Sequence, residues 1–126
     1  MPPTGNLSPI LSATSTPHGI SQEMDALIPP IPPAQLAATR SASGVLLTWL
    51  GTGSDIDTHY AVYRRPAGSE TWQALGFVAI QGDNRGAYSY LDALAEAGQS
   101  LEYSVTTFDR YGKESDRAII QVEPSP

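Results

Sequence analysis

Hydrophobic and polar residues alternate with a period of two through most of the chain after residue 33, and this pattern predicts strands. The strongest run is Gly44-Val45-Leu46-Leu47-Thr48-Trp49-Leu50, with Val45, Leu47 and Trp49 on one face and Leu46 and Leu50 on the other. Around it, short apolar runs recur between turn-forming clusters. Strands are expected at 34–40 with Leu36 inward, at 59–65 with Tyr60 and Val62 inward, and at 70–77 with Trp72 and Leu75. Further strands are expected at 87–92 with Tyr88 and Tyr90 on one face, along Leu101, Tyr103, Val105 and Thr107, and at 117–123 with Ile120 and Val122. The segments between them are rich in Gly, Ser, Asp, Asn and Pro, each suited to turns, and 81–86 holds several residues that tolerate positive φ. Residues 94–98 are expected to cross between two sheets. No long amphipathic helix falls inside this region. Seven strands at such spacing predict an all-β sandwich.

The first quarter of the chain reads differently. Eight of the 11 prolines lie in the first 33 residues, and residues 1–19 are mostly Pro, Ser, Thr, Gly and Asn. Such a stretch buries too little apolar surface to offset its chain entropy, so 1–32 is expected to be an arm or linker. Within it, Ile20, Met24, Leu27 and Ile28 fall at helical spacing, with Ser21 as a cap and Pro29-Pro30 as a stop. A helix of two turns needs a surface to lie on. The arm is therefore expected to dock on a neighbouring subunit through Ile20, Met24, Leu27 and Ile28, the alternative being a spacer packed on its own domain. Pro29-Pro30-Ile31-Pro32-Pro33 forms a stiff, extended boundary. The domain then runs over 33–123, and 124–126 is a short tail.

From residue 33 onward the order of marks resembles a fibronectin type III domain. They are Pro33 with Leu36, Leu47-Thr48-Trp49, Tyr60-Ala61-Val62-Tyr63-Arg64, Trp72 with Leu75, and Tyr90 with Asp92. Gly98 through Tyr103 and Val105 follow, then Asp109-Arg110-Tyr111-Gly112-Lys113-Glu114-Ser115, whose Asp-x-x-Gly-x-x-Ser form is closer to bacterial members. The resemblance implies a seven-stranded immunoglobulin-like sandwich with an extended proline-rich N-terminal arm. It also implies that Trp49 is core, and that Tyr111 sits in a loop often used for binding. One feature departs from the family. The tyrosine expected three residues after the crossing glycine is Leu101, and the nearest tyrosine is Tyr103. The hydrogen bond that fixes the corner between the sheets is then either lost or supplied by Tyr103 from another angle.

Composition narrows the function. The net charge is −6, and all seven Lys and Arg lie at or after Arg40. An acidic chain without a basic cluster is a poor partner for nucleic acid or an anionic membrane. No apolar run is long enough to span a bilayer, and the first residues lack the charged and apolar regions of an intact signal peptide. There is no cysteine, so neither a disulfide framework nor a thiolate metal site is expected. The only imidazoles are His18 and His59, and no catalytic or phosphate-binding motif surrounds them. Asp55, Asp57 and Asp83 in two loops are too few for calcium, which takes six to eight oxygens. They read as turn caps, as does Asp109. Glu70 with Glu96, or Asp92 with Glu102, has the residue types of a glycosidase couple, but nothing in a sequence sets their separation.

The expectation is a non-catalytic interaction or structural module without a cofactor. It would be an accessory subunit held by its arm in a larger bacterial surface or extracytoplasmic assembly, with another protein subunit as partner and Tyr111 as an added contact. One alternative is a carbohydrate- or cell-surface-binding appendage using Trp72 and Tyr111. The other is a phage virion or tail decoration protein.

Overall fold

The computed structural model describes residues 27–125, and the arm residues Ile20 and Met24, with His18, lie outside them. The strands are β1 (Ala34–Ser41), β2 (Gly44–Leu50), β3 (Asp57–Pro66), β4 (Gln73–Ala79), β5 (Ala87–Asp92), β6 (Leu101–Asp109) and β7 (Ala118–Val122). They form two antiparallel sheets, one ordered β1-β2-β5 and the other β4-β3-β6-β7. The expected all-β sandwich is thus the observed one.

The core follows from the alternation. Val45, Leu47 and Trp49 of β2 meet Tyr60 and Val62 of β3, and Leu101, Tyr103 and Val105 of β6, all at 2% exposure or less. Trp49 contacts Tyr60 edge-on at 5.7 Å and stacks on Tyr88 at 6.4 Å. Leu46 and Leu91 pair across β2 and β5 on the outer face of the smaller sheet, and both are exposed. The second face of β2 is therefore not covered by a further layer.

Two strand starts differ from the sequence reading by more than one residue, for identifiable reasons. The strand expected to begin at residue 70 begins at Gln73. Ser69 Oγ accepts from Thr71 N at 3.2 Å, which continues the turn, and Trp72 lies just before the strand instead of within it. Conversely β3 begins at Asp57, where it pairs with Asp109 of β6.

The crossover between the sheets is fixed by polar groups. Tyr103 donates its hydroxyl to Asp92 Oδ2 at 2.6 Å, and Arg64 bonds the same oxygen at 2.8 Å. Asp92 Oδ1 accepts from Leu94 N at 3.2 Å, shaping the start of the crossover. Of the two outcomes left open for the corner, Tyr103 supplies the bond. At the same end Arg40 donates to three carbonyls, of Glu123 (3.0 Å), Glu96 (3.1 Å) and Gln99 (2.9 Å). The planar guanidinium fork thereby ties β1 to the crossover and to the chain after β7.

Candidate functional site

The loop end of the sandwich, opposite the Arg40 clamp, brings together the last residues of the arm, the β2–β3 loop and the β6–β7 turn. Ile28, Pro29, Pro30 and Ile31 run past Ser54, Ile56 and Asp57 and enclose a shallow groove of about 220 Å³. Lys113 Nζ donates to the Ile28 carbonyl at 2.9 Å, so the proline-rich segment is pinned to the β6–β7 turn. The turn itself is well braced. Asp109 Oδ1 accepts from Tyr111 N at 2.9 Å and Lys113 N at 3.0 Å, and Arg110 N donates to Ile56 O at 2.8 Å. Arg110 also lies 5.3 Å from the Tyr111 ring centre.

Beneath this end sits a buried polar plug, Asn84. It has a φ of 60°, a left-handed conformation that Asn tolerates better than most residues. Its Oδ1 accepts from Tyr60 at 2.7 Å and Tyr88 at 3.1 Å, and its Nδ2 donates to Thr52 Oγ1 at 2.9 Å and Ser54 O at 3.3 Å. Asn84 O accepts from Gly53 N at 2.8 Å. Gly51 must be glycine for this approach, because a Cβ there would stand 2.3 Å from Asn84 O. The plug holds the β2–β3 and β4–β5 loops in one piece, on top of the aromatic cluster formed with Trp49.

Asp57 is buried beside the plug and takes a hydrogen bond from Thr52 Oγ1. Burial raises its carboxyl above the usual carboxylate range. The Thr52 bond opposes this, and Asp109 and Asp55 add to the rise. Asp83 lies in the other loop, exposed, with Oδ1 accepting from Arg85 N. Among the described residues no group of three or more His, Cys, Asp or Glu is placed to hold a metal ion.

Of the residues singled out for partner binding, Leu27 and Ile28 are 80% and 54% exposed, and Tyr111 is 38% exposed. Ile28 and Tyr111 belong to the same end, joined through Lys113 in the turn. Ile31, not singled out from the sequence, is 61% exposed and lines the groove. Its position among prolines hid it, since it has no helical or strand periodicity to mark it.

Trp72 lies elsewhere, on the outer face of the larger sheet. The Arg65 and Arg117 guanidiniums lie 4.0 and 5.0 Å from its ring centre, and Arg117 also lies 4.3 Å from the ring of Tyr63. Arg65 pairs with Glu102 at 2.7 Å, and Tyr63 donates to Glu114 at 2.6 Å. This is a ladder of alternating cations and rings. Trp72 and Tyr111 therefore do not form one surface. Nor do Asp92 and Glu102 converge, since Asp92 is buried at the crossover while Glu102 pairs with Arg65 on this outer face. His59 stacks on Phe108 at 4.7 Å and meets Phe77 edge-on at 5.1 Å.

With the two sheets and their order in place, solved structures offer a comparison. An Fn3-like protein from Clostridium thermocellum superposes with a TM-score of 0.57 at 20% identity, covering 79% of this chain and 97% of that one. The fold is that of a fibronectin type III domain. The spore cortex lytic enzyme SleM of Clostridium perfringens matches with a TM-score of 0.60 at 19% identity, and titin domains A168–A170 with 0.55 at 21%. The match covers 79% of this chain and 30% of the SleM chain, and 77% of this chain and 32% of the titin chain. At these identities the likeness is one of fibronectin type III fold alone. No protein-family model matches the chain, and no curated protein matches it either. Among the described residues no helix is long and apolar enough to cross a membrane.

Proposed function

We propose that this chain is a non-catalytic interaction module, an accessory subunit held by its N-terminal arm in a larger bacterial assembly at the surface or outside the cytoplasm. The observation that carries the reading is the run of solvent-facing Leu27, Ile28 and Ile31, pinned by Lys113 to the β6–β7 turn that bears Tyr111. The fibronectin type III core closes without these side chains. An apolar strip held in place on a braced scaffold is suited to burial by a second protein. The fold also recurs as a minor part of longer bacterial chains, such as SleM and, at 14% of its length, the β-1,2-glucanase of Parabacteroides distasonis. The glycan alternative draws no comparable support, because Trp72 is already stacked by two guanidiniums.

The test is quantitative co-purification of the full chain from its native source, beside the double variant Leu27→Asp with Ile31→Asp. The expected result is a stoichiometric protein partner that the variant loses while its thermal unfolding matches the parent. Retention of the same partner by the variant, or a stoichiometric glycan in place of a protein, would overturn the reading.

A further inference from the structure

The sheet order leaves β1, β5, β4 and β7 as edge strands, and unpaired edges invite further pairing unless they are blocked. β1 is led in by Pro32-Pro33 and bulges between Ala34 and Ala37, and it lies against β7, tied there by Arg40. β5 lies against the first half of β4, where Tyr90 donates to Leu75 O at 3.1 Å and its ring fills the space over Gly76. The second half of β4 has none of these devices. The strand, Gln73-Ala74-Leu75-Gly76-Phe77-Val78-Ala79, carries no charge and no proline. Ile80 N donates to Thr58 O at 3.2 Å. By the two-residue period, the backbone groups of Phe77 and Ala79 then face away from β3. Among the described residues no loop or side chain hydrogen-bonds them. The Phe77 ring is 68% exposed, on the outer face beside His59.

We propose that the chain self-associates through β4, a second copy adding its own β4 antiparallel about a two-fold axis at Val78. That register pairs Phe77 with Ala79 of the second copy, and Ala79 with its Phe77. It uses the open backbone groups and leaves Leu75 O to Tyr90. Neighbours across such a pair share a face, so each Phe77 ring lies over a small alanine of the other copy, twice by symmetry. A second copy fits this edge for an electrostatic reason as well. Chains of net charge −6 repel at most surfaces, but an uncharged strand sets no like charges opposite each other. A single strand pair buries less than a standard interface, so the association is weak and concentration-dependent. It does not depend on the arm and stands or falls separately from the function proposed above.

The test is sedimentation velocity of the full chain from about 10 μM to about 1 mM, a range that brackets a weak dissociation constant, with amide exchange at both ends. The expected result is a monomer that becomes a dimer as concentration rises, with new protection at the Phe77 and Ala79 amides. Phe77→Glu should raise the dissociation constant at least ~10-fold, and Leu91→Glu, on the outer face of the other sheet, should leave it unchanged. Ala79→Pro, which removes only an outward-facing N–H, gives the same reading should Phe77→Glu fail to fold. A monomer throughout, as expected if the strand that fits here belongs to another protein, would overturn the proposal. So would protection outside β4, or a Phe77→Glu chain that dimerises like the parent.

Discussion

Replacing Asn84 tests whether the loop end is held by one buried amide. In Asn84→Ala the Tyr60 hydroxyl proton loses its acceptor, because that oxygen otherwise only accepts, from Thr52 N at 3.1 Å. A buried donor left unpaired costs about 1–3 kcal/mol. Tyr88 is less affected, since its hydroxyl is also placed to donate to Gln81 O at 3.2 Å. Ser54 O loses the amide donor, and alanine at a φ of 60° adds about 1–2 kcal/mol of backbone strain. Together these come to about 2–5 kcal/mol, a large share of the stability of a small domain.

The strain component separates cleanly. Asn84→Gly removes the same hydrogen bonds but adopts the left-handed conformation freely, so it should be more stable than Asn84→Ala by about 1 kcal/mol. Urea unfolding followed by tryptophan fluorescence reads both, since Trp49 is stacked beneath the plug. Tyr60→Phe supplies a cycle. Combined with Asn84→Ala it should cost less than the sum of the two single changes by about 1–2 kcal/mol, because both remove one hydrogen bond. A loss below about 1 kcal/mol in Asn84→Ala would refute the plug, and an alanine variant as stable as the glycine one would refute the strain component.

Two further variants probe the polar groups at either end. Tyr103→Phe deletes the hydroxyl that bonds Asp92 and should lower stability by about 1.5–3 kcal/mol, the range for a hydrogen bond to a charged group, measured by denaturant unfolding with an unchanged m-value. Asp57→Asn tests the raised carboxyl. A folded-state pKa above the unfolded value means that the native state holds its proton more tightly, so stability falls as pH rises from the unfolded pKa through the folded one and then levels off. The asparagine variant should therefore gain melting temperature relative to the parent at pH 7, and the gain should shrink at pH 3. A variant equally displaced at both pH values would show that Asp57 does not titrate in this way.

The strands were legible in the sequence wherever one face is apolar and the other polar. β2 and β5 begin and end where the alternation does, because Val45, Leu47, Trp49 and Tyr88 need a core to bury them. Legibility failed where a long polar side chain takes the place of a second hydrophobic layer. Ser104 and Thr106 lie on the outward face of β6, yet both are buried. Arg117 donates to Ser104 Oγ at 3.0 Å, and Glu114 accepts from Thr106 Oγ1 at 2.6 Å. Alternation cannot show this, because charged residues on an exposed strand read as solvated. Tyr63 and Arg65, two apart in β3, were the available signal, since they share a face and can alternate with Arg117 and Trp72 across the strands.

The same blindness hid Asn84, which sits in a loop of turn-forming residues and looked like one more of them. Its role depends on two tyrosines from different sheets, Tyr60 at 24 residues' separation and Tyr88 at four, whose hydroxyls meet only when the sheets close. This distribution gives the two ends of the sandwich different characters. At the crossover end, Arg40, Arg64 and Asp92 hold backbone and side chains by charge-assisted bonds, which need no apolar surface. At the loop end the central buried group is a neutral amide, Asn84, with Asp109 and Lys113 bracing the turn beside it, and the apolar residues Leu27, Ile28 and Ile31 are carried outward over them. A braced base under an exposed apolar strip limits the entropy lost when a partner docks, because the backbone that presents the strip is already ordered by Lys113 and the plug. Loosening that base without touching the strip should therefore weaken the proposed association. Gly51→Ala is the change for this purpose, since its Cβ would displace Asn84 while every arm side chain stays in place.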